Sequence, residues 1–452
     1  MAEPLVVVGA SDAGINAARQ ARAQDPGRQV VVVYRDRYPA FSICGLPYYF
    51  ARLIPDWRRL AHQGEAELAA LGLELLPAHT AVGLDPQARR LQLTGPDGTS
   101  RTLPYASLVI ATGARPTRPA LPGVDHPRVH VLHSMEDAFR LEEALAGARS
   151  VAVIGAGYVG LEMAEALSTR GLAVTVVQRG EGILHTMDHE FGDRLRHELE
   201  AHGVQVETGF AAEALRPEGR GMVVVGRQHE VAADLVLLAA GVEPATAWLE
   251  GAGLRTGFRG ALVVDRGLRT NLPAVWAAGD CVETYHRLLE RPVYLPLGTT
   301  AHKQGAVAGT NAAGGARQFA GSLGTQVIKV FDLVAARTGL REAEARAAGF
   351  HPASVTLTTY DRNPYYPGAA PVLLRLTVDR PTRRLLGLQM LGGLHASIPK
   401  RVDVGATALA AGLRVEDLLD LDLTYAPPFS SPWDPVQQAA EAWLAQEEGA
   451  RA

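Results

Sequence analysis

The stretch SVAVIGAGYVGLE occupies residues 150–162 and contains Gly155, Gly157 and Gly160 in the spacing G-x-G-x-x-G. The apolar residues before Gly155 predict a buried β-strand, and the residues after Gly160 predict a helix. The glycines permit a tight turn that brings backbone N–H groups of the helix N-terminus close to a pyrophosphate. The stretch therefore predicts a dinucleotide site in a parallel α/β sheet.

A related loop opens the chain, where the apolar run LVVV is followed by Gly9, Ser11 and Gly14. Ser11 stands where the middle glycine is expected. The next predicted strand, VVVVY, ends in Arg35 and Asp36, and the first of these positions is where an acidic residue that holds an adenosine ribose is expected. The ribose contact is therefore open between Asp36 and another residue. Two such loops predict two dinucleotide-binding units.

The strand after the second loop ends in Gln178 and Arg179. An acidic residue at this place binds the free ribose of NAD, whereas an arginine pairs with the 2′-phosphate of NADP. Arg179 therefore favours NADP(H). The alternative is a solvent-facing Arg179 and mixed use of NADP(H) and NAD(H).

The composition describes a globular protein with more than one domain. The chain has 452 residues, of which 47% are hydrophobic and 20% are charged, and its net charge is −4. This length predicts two or three domains, and the charge gives no reason to expect nucleic acid as a partner. Because no apolar run reaches the ~18 residues of a membrane span and no signal peptide is recognisable, we expect a cytoplasmic protein without a membrane partner.

The chain has two cysteines, Cys44 and Cys281, and no C-x-x-C pair. Neither a disulfide framework nor a metal site is therefore predicted. Cys44 lies in FSICGLPYY, which predicts a position at the start of a helix, where unpaired N–H groups and the helix dipole lower the pKa of a thiol. We expect Cys44 to be the reacting sulfur, and the alternative is a small buried hydrophobic residue, which is what we expect of Cys281.

Two further strand ends predict contacts with a cofactor. One apolar strand runs into Thr112 and Gly113, and another runs into Gly279 and Asp280. A glycine at a strand end allows the backbone to approach a ligand closely, and a carboxylate can accept hydrogen bonds from a polyol. We therefore expect Thr112, Gly113 and Asp280 beside a bound cofactor.

Together these features resemble the FAD-dependent pyridine nucleotide-disulfide oxidoreductases. The chain is most similar to the branch with a single active cysteine, which contains coenzyme A disulfide reductases, water-forming NADH oxidases and NADH peroxidases. Besides the glycine loops, the resemblance rests on four segments, which are CGLPYY at 44–49, AHKQG at 301–305, GTQVIKVFD at 324–332 and DLTYAPPFS at 422–430.

The resemblance implies an α/β fold with two doubly wound dinucleotide-binding domains and a C-terminal α+β dimerisation domain. We expect an FAD-binding domain in two parts, at 1–117 and 245–322. An NAD(P)H-binding domain is expected at 118–244 and the dimerisation domain at 323–452. The resemblance also implies a homodimer, in which the dimerisation domain closes the active site of the partner subunit.

The resemblance also implies roles for individual residues. The first loop would bind FAD and the second NAD(P)H, with Asp280 on the ribityl chain of the flavin and Glu162 near nicotinamide and flavin. In the coenzyme A disulfide reductases, tyrosines of the partner subunit give a proton to the leaving thiolate. Tyr425 matches one of them by its Tyr-Ala-Pro-Pro context, and the second match is Tyr365 or, alternatively, Tyr366.

Two departures from the family pattern concern the substrate. Asp12 occupies the position of a histidine that assists peroxide chemistry in the NADH oxidases and peroxidases, which counts against those activities. Ile43 stands where the coenzyme A disulfide reductases have an asparagine, which weakens the assignment of coenzyme A. Ser42 remains a candidate substrate contact. Arg19 and Arg22, one helical turn apart, are candidates for contacts to coenzyme A phosphates or, alternatively, part of a solvated helix face.

The favoured function is reduction by NAD(P)H, through FAD and Cys44, of a small-molecule disulfide, persulfide or polysulfide, with coenzyme A disulfide as the leading candidate. The first alternative is an NAD(P)H oxidase that reduces oxygen to water or peroxide. The second alternative is a flavin-binding redox sensor or interaction protein with little turnover.

Overall fold

The N-terminal sheet is parallel and joins two distant parts of the chain. The computed structural model describes residues 3–449. The strands of this sheet lie in the order Val275–Ala277, Ser107–Ile110, Leu5–Val8, Val30–Val33 and Leu73–Leu76. The three central strands are buried along their whole length, as expected for a parallel sheet that is covered on both faces.

Two helices, Asp12–Gln24 and Gly298–Ala312, pack tightly against each other over this sheet. A Cβ atom added to Gly305 would lie 2.2 Å from the carbonyl oxygen of Ala13. Only glycine permits so close an approach of two backbones. Gly305 therefore allows the helix Gly298–Ala312 to lie directly against the start of the helix that follows the first glycine loop.

The middle sheet is also parallel and contains the second glycine loop. Its strands lie in the order Gln205–Glu207, Ala173–Val177, Ser150–Ile154, Leu235–Leu238 and Val129–His130. The helices of this unit are Met135–Leu145, Tyr158–Thr169 and His189–Ala201. A small antiparallel sheet completes it with Ala212–Glu218, Gly221–Gly226 and Glu230–Ala233. The chain enters and leaves this unit through two antiparallel strands, Ala114–Pro116 and Val242–Pro244.

The C-terminal sheet is antiparallel and has its own core. Its strands lie in the order Gln326–Val330, Leu333–Gly339, Leu385–Gly393, Pro371–Asp379 and Pro352–Tyr360. The helices are Glu342–Ala347, Ile398–Ala411, Val415–Leu419 and Pro435–Gly449. Trp443 is buried in this core, and its indole N–H donates to the carbonyl of Ala353 at 3.1 Å.

The remaining elements are short. Two small antiparallel sheets consist of Thr80–Asp85, Arg90–Thr94 and Ser100–Pro104, and of Thr284–His286 and Arg291–Val293. The short α-helices are Leu46–Phe50 and Glu65–Ala70, and the 3₁₀ turns are Ile43–Gly45, Trp57–Leu60, Ala247–Leu249 and Phe258–Gly260.

The predicted fold class is confirmed, with two parallel sheets of dinucleotide-binding type and a C-terminal α+β unit. The domain boundaries near residues 117, 244 and 322 stay predictions. Between residues 3 and 449, no helix combines the length and the apolar character needed to span a bilayer.

Candidate active site

The first glycine loop forms a turn that is open to a pyrophosphate. Gly9 has a φ of +116°, which favours glycine, and Ser11 has an ordinary φ of −98°. Serine therefore replaces the middle glycine without backbone strain. Ser11 is the N-cap of the helix Asp12–Gln24 and makes no side-chain capping bond, so its side chain leaves the first-turn N–H groups available to a phosphate. This loop fits a dinucleotide such as FAD.

The segment that contains Cys44 is attached to this loop by backbone hydrogen bonds. Ala40 N–H donates to the carbonyl of Ala10 at 2.7 Å, and His62 N–H donates to the carbonyl of Ala40 at 2.8 Å. Ser42 precedes the 3₁₀ turn Ile43–Gly45, and its side chain makes no capping bond. These bonds place Cys44 beside the first glycine loop.

The structure corrects the expected ionisation of Cys44. Cys44 is exposed, yet the protein packed around its thiol and the charges of Glu162, Asp12 and Asp280 raise the pKa of Cys44. The backbone N–H at Cys44 lowers this pKa, as expected, but burial of the thiol and the three carboxylates outweigh it. The helix Leu46–Phe50 after the three-residue turn has only five residues, so its dipole is small. The thiolate therefore needs a charge other than the helix dipole to stabilise it.

Three carboxylates from three parts of the chain face the thiol. Burial and the charge of Glu165 raise the pKa of Glu162 to about 7, with Lys329 acting in the opposite direction. Burial and the charge of Asp12 raise the pKa of Asp280 to about 6. A carboxyl group that titrates near neutrality can hold or release a proton at the pH of a cell, so Glu162 is suited to proton transfer beside sulfur.

Asp12, the residue in place of the family histidine, also lies in this cluster. Burial raises the pKa of Asp12, while the nearby imidazoles of His62 and His302 lower it. The carboxylate lies beside the first residue of the helix Gly298–Ala312, because Asp12 Oδ2 is 3.6 Å from the position of a Cβ on Gly298. Asp12 therefore adds negative charge where the sulfur reacts.

The strand ends that precede Gly113 and Asp280 meet at one edge of the N-terminal sheet, since their strands pair in parallel. The hydroxyl of Thr112 donates to the carbonyl of Ala245 at 2.9 Å. This bond joins the two chain segments that lead into and out of the middle unit. Gly113 has a φ of +67°, and a Cβ added there would meet nothing within 4 Å. The partly buried carboxylate of Asp280 and this open backbone fit a polyhydroxyl chain.

One carboxylate oxygen of Asp36 accepts hydrogen bonds from neighbouring backbone N–H groups. Its Oδ1 atom accepts the backbone N–H groups of Arg37 at 2.6 Å and Tyr38 at 3.2 Å. Arg35 is exposed, whereas Asp36 is partly buried. The structure therefore favours Asp36 over Arg35 as the polar contact at the tip of this strand.

In the second glycine loop, Gly155 has a φ of +109° and Gly157 is the N-cap of Tyr158–Thr169. A Cβ added to Gly160 would lie 1.9 Å from the carbonyl of Gly155. The side-chain oxygen of Gln178 accepts the backbone N–H of Ala156 at 3.0 Å, which holds the loop to the strand end.

Arg179 is exposed next to the second glycine loop, and within residues 3–449 it forms no ion pair. Its guanidinium is therefore available to a 2′-phosphate.

The two arginines of the first helix differ in their contacts. Arg22 donates to the carbonyls of Pro26 at 2.6 Å, Arg28 at 2.7 Å and Leu71 at 3.4 Å. These bonds give Arg22 a structural role, and its contact with a substrate stays a prediction. Arg19 is exposed and remains a candidate substrate contact.

Tyr365 and Tyr425 come together on the surface of the C-terminal unit. The amide nitrogen of Asn363 donates to the hydroxyl of Tyr425 at 3.0 Å and to that of Tyr365 at 3.4 Å. The two tyrosines are 73% and 47% exposed. The structure thus favours Tyr365 over Tyr366 as the companion of Tyr425.

Two groups beside Glu162, Tyr48 and Lys329, were not predicted from the sequence. Burial and the charges of Glu162 and Glu165 raise the pKa of Tyr48 to about 12, and the i, i+4 spacing from Cys44 was a signal for this contact. Lys329 reaches from the C-terminal sheet to an ion pair with Glu165. No local pattern predicts that second pairing, because its members are far apart in the chain.

Cys281 is buried in the core of the N-terminal unit, as expected of a packing thiol. Its sulfur lies 3.3 Å from the carbonyl of Ala278. Burial raises the pKa of Cys281 to about 11, so it is a poor nucleophile.

Comparison with known families accounts for nearly the whole chain. Residues 3–305 match the model described as pyridine nucleotide-disulphide oxidoreductase. Residues 325–435 match the model described as the dimerisation domain of the same family.

Comparison with individual proteins gives similarities over the full length. The chain is 35% identical over 437 residues to the NAD(P)H sulfur oxidoreductase (CoA-dependent) of Pyrococcus abyssi, with 96% of each chain covered. The NAD-dependent persulfide reductase from A. fulgidus has a TM-score of 0.94 and 35% identity, and the match covers 99% of this chain and 84% of that one. The water-forming NADH oxidase from Lactobacillus brevis has a TM-score of 0.96 and 27% identity, with 100% of both chains covered.

Proposed function

The chain belongs to the pyridine nucleotide-disulphide oxidoreductase family, and from this premise we propose that it uses NAD(P)H to reduce a small-molecule disulfide, persulfide or polysulfide at Cys44. Coenzyme A disulfide is the favoured substrate. The observation that carries this proposal is the position of Cys44, which is exposed among Glu162, Asp12 and Asp280.

FAD and NAD(P)H are the cofactors of this family. The loop with Gly9, Ser11 and Gly14 and the carboxylates of Asp36 and Asp280 would hold FAD. When bound, FAD accepts a hydride from NAD(P)H and supplies two electrons to sulfur.

The loop with Gly155, Gly157 and Gly160 would hold NAD(P)H. Arg179 would pair with the 2′-phosphate of NADPH, and Glu162 would lie beside the reacting groups.

The chemistry of the chain itself rests on one sulfur. The Cys44 thiolate attacks one sulfur of the disulfide, so that a Cys44–substrate disulfide forms and the original S–S bond breaks. The departing thiolate takes up a proton. Two electrons that derive from NAD(P)H then break the Cys44–substrate bond and release the second thiol. The sum is one disulfide, one NAD(P)H and one proton converted to two thiols and NAD(P)⁺.

The chain has two groups suited to the proton transfers. The carboxyl group of Glu162, with a pKa of about 7, can hold a proton close to Cys44. The hydroxyls of Tyr365 and Tyr425 can donate hydrogen bonds to a leaving thiolate. We propose that they do so in a homodimer, at Cys44 of the partner subunit, because both are exposed on the unit that matches the dimerisation domain.

Mixed dimers test this arrangement. Cys44→Ser and the double variant Tyr365→Phe/Tyr425→Phe are each expected to lose disulfide reduction. When the two are mixed as equal amounts of subunits, half of the dimers contain one intact site, and about a quarter of the wild-type activity returns. No return of activity would mean that the tyrosines act within their own subunit.

The activity itself is tested in two assays, one with coenzyme A disulfide under exclusion of oxygen and one with oxygen as the sole oxidant. NADPH oxidation is expected with coenzyme A disulfide and not with oxygen alone, and the mass of the oxidised protein is expected to show a coenzyme A adduct on Cys44 that mild reduction removes. A Cys44→Ser variant that still reduces the disulfide would contradict the proposal.

The use of NADPH by a protein with a free thiol also supports a cytoplasmic location.

Reduction of oxygen is the second candidate function, because a water-forming NADH oxidase has the same fold. The Asp12 carboxylate counts against it, since Asp12 stands where the oxidases have a histidine that assists peroxide chemistry. A sulfenic acid on Cys44, together with NADPH oxidation driven by oxygen alone, would favour the oxidase.

A further inference from the structure

A polar cavity of about 380 Å³ lies between the helices Gly298–Ala312 and Ile398–Ala411. This volume is within the range of small-ligand sites. The polar residues in its wall include Arg287, Lys303, Thr299, Ser322, Thr407 and Asp403. None of these residues belongs to the candidate active site described above.

Lys303 is unusual in this chain because lysine is rare. The sequence contains three lysines, and arginine supplies the rest of its 44 basic residues. Lys329 pairs with Glu165, and Lys400 pairs with Asp403 at 3.0 Å. Lys303, in contrast, forms no ion pair with any residue from 3 to 449, and it is exposed at the cavity. Its charge is therefore available to a ligand.

Arg287 supplies a second cation whose charge is not neutralised. One N–H of its guanidinium donates to the carbonyl of Ala410 at 2.8 Å, near the end of a helix. This bond holds the side chain in the cavity wall, and a guanidinium has five N–H donors in total. Among the described residues, Arg287 has no carboxylate partner.

The rest of the wall favours an anion. The carboxylate of Asp403 is paired with Lys400, so it offsets the two cations only weakly. The hydroxyl of Ser322 accepts Gly324 N–H at 3.1 Å, and Thr299 is exposed at the rim. Hydroxyl groups can donate to oxygen atoms of a bound anion.

A second cavity of about 320 Å³ provides a contrast within the same chain. Its arginines are already paired, Arg118 with Asp125 at 3.7 Å and Arg140 with Asp137 at 2.5 Å. Paired charges leave little attraction for an anion. Of the two cavities, the one with Lys303 therefore has the character of an anion site.

We propose that the cavity lined by Lys303 and Arg287 binds a phosphate group of a small-molecule ligand. A guanidinium fork and an ammonium group that line one cavity match the several oxygen atoms of a phosphate. The phosphate has two possible sources, which are the substrate, if that substrate carries phosphates as coenzyme A does, and a separate nucleotide or inorganic phosphate. The proposal does not depend on the disulfide reductase activity.

Calorimetric titration with pyrophosphate tests the proposal. The flavin-loaded protein is saturated with NADP⁺ so that both glycine loops are filled. We expect pyrophosphate to bind, to bind more weakly as salt is added, and to lose about tenfold or more in affinity in Lys303→Met. Arg101→Met is the matched control, because it removes an exposed cation that lies on the strand Ser100–Pro104 and does not line the cavity.

A repeat of the titration in saturating coenzyme A separates the two sources. Loss of pyrophosphate binding identifies the substrate as the source of the phosphate group. Unchanged binding identifies a separate ligand as the source. Both results support the proposed anion site. Equal affinities of Lys303→Met and Arg101→Met, or no binding to the wild-type protein, would overturn the proposal. Because no turnover is measured, this outcome is distinct from a failure of the proposed function.

Discussion

Arg401 is expected to be the residue whose loss most disturbs the tyrosine surface of the C-terminal unit. Its buried guanidinium pairs with Asp434 at 2.9 Å and donates to the carbonyls of Asp361 at 2.6 Å and Phe429 at 3.1 Å. These carbonyls belong to the two segments that contain Tyr365 and Tyr425. Arg401 is therefore a positioning residue for both tyrosines.

The size of the effect follows from burial. The side chains of Arg401 and Asp434 are 7% and 12% exposed. Removal of one partner of a buried ion pair costs about 3–5 kcal/mol, because the other charge stays buried without compensation. We therefore expect Arg401→Met to lower the free energy of unfolding of the C-terminal unit by about 4 kcal/mol. Displacement of the tyrosines by about 1 Å would lower kcat/KM for the disulfide roughly 100-fold.

The adjacent residue offers a matched control. Lys400 pairs with Asp403 on the same helix, but these side chains are 84% and 55% exposed. Lys400→Met is therefore expected to change the free energy of unfolding by no more than about 0.5 kcal/mol.

Urea unfolding and hydrogen exchange measure the prediction. Exchange is expected to accelerate in residues 361–370 and 422–434 of Arg401→Met. The double variant Arg401→Met/Asp434→Leu is expected to recover part of the loss, since it leaves no unpaired charge. The reasoning fails if Arg401→Met unfolds within about 1 kcal/mol of Lys400→Met and both segments exchange as in the wild-type protein.

Three further predictions concern the active site. Arg179→Glu is expected to raise KM for NADPH at least about tenfold and to leave KM for NADH nearly unchanged, because a carboxylate repels the 2′-phosphate. Asp12→Asn is expected to lower the pKa of Cys44, since a negative charge is removed, and alkylation of the thiol should then extend to lower pH. Glu162 has its pKa raised from 4.5 to about 7, so the protonated form favours the folded state, and stability is lost as the pH rises through this interval. Glu162→Gln is therefore expected to remove up to about 3 kcal/mol of this pH dependence.

Each of these predictions has a result that contradicts it. A parallel rise of KM for both nucleotides in Arg179→Glu would indicate general damage to the loop. An unchanged pH profile of alkylation in Asp12→Asn would remove Asp12 from the surroundings of the thiol. Identical shifts of the urea midpoint between about pH 5 and about pH 8 in Glu162→Gln and wild type would show that Glu162 is not the titrating group.

The folds of the two nucleotide units were predictable from local patterns. Gly9 and Gly155 turn the chain at a positive φ that other residues seldom adopt, and the apolar runs beside them are buried strands. Such features depend on a few neighbouring residues, so the sequence is enough to recognise them. Cys44 was also recognisable, because the chain has only two cysteines and the other one lies in an apolar strand end.

The pKa of Cys44 and the contacts of the other site residues depend on segments that are distant in the sequence. The raised pKa of Cys44 comes from the protein packed around its thiol and from carboxylates at positions 12, 162 and 280. Arg22 donates hydrogen bonds to the backbone carbonyls of Pro26 and Arg28, which its spacing from Arg19 on the helix does not indicate. Tyr365 meets Tyr425 through Asn363 only after the C-terminal unit has folded. Spacing along a chain specifies local conformation, whereas burial and charge at a side chain are set by residues that folding brings near it.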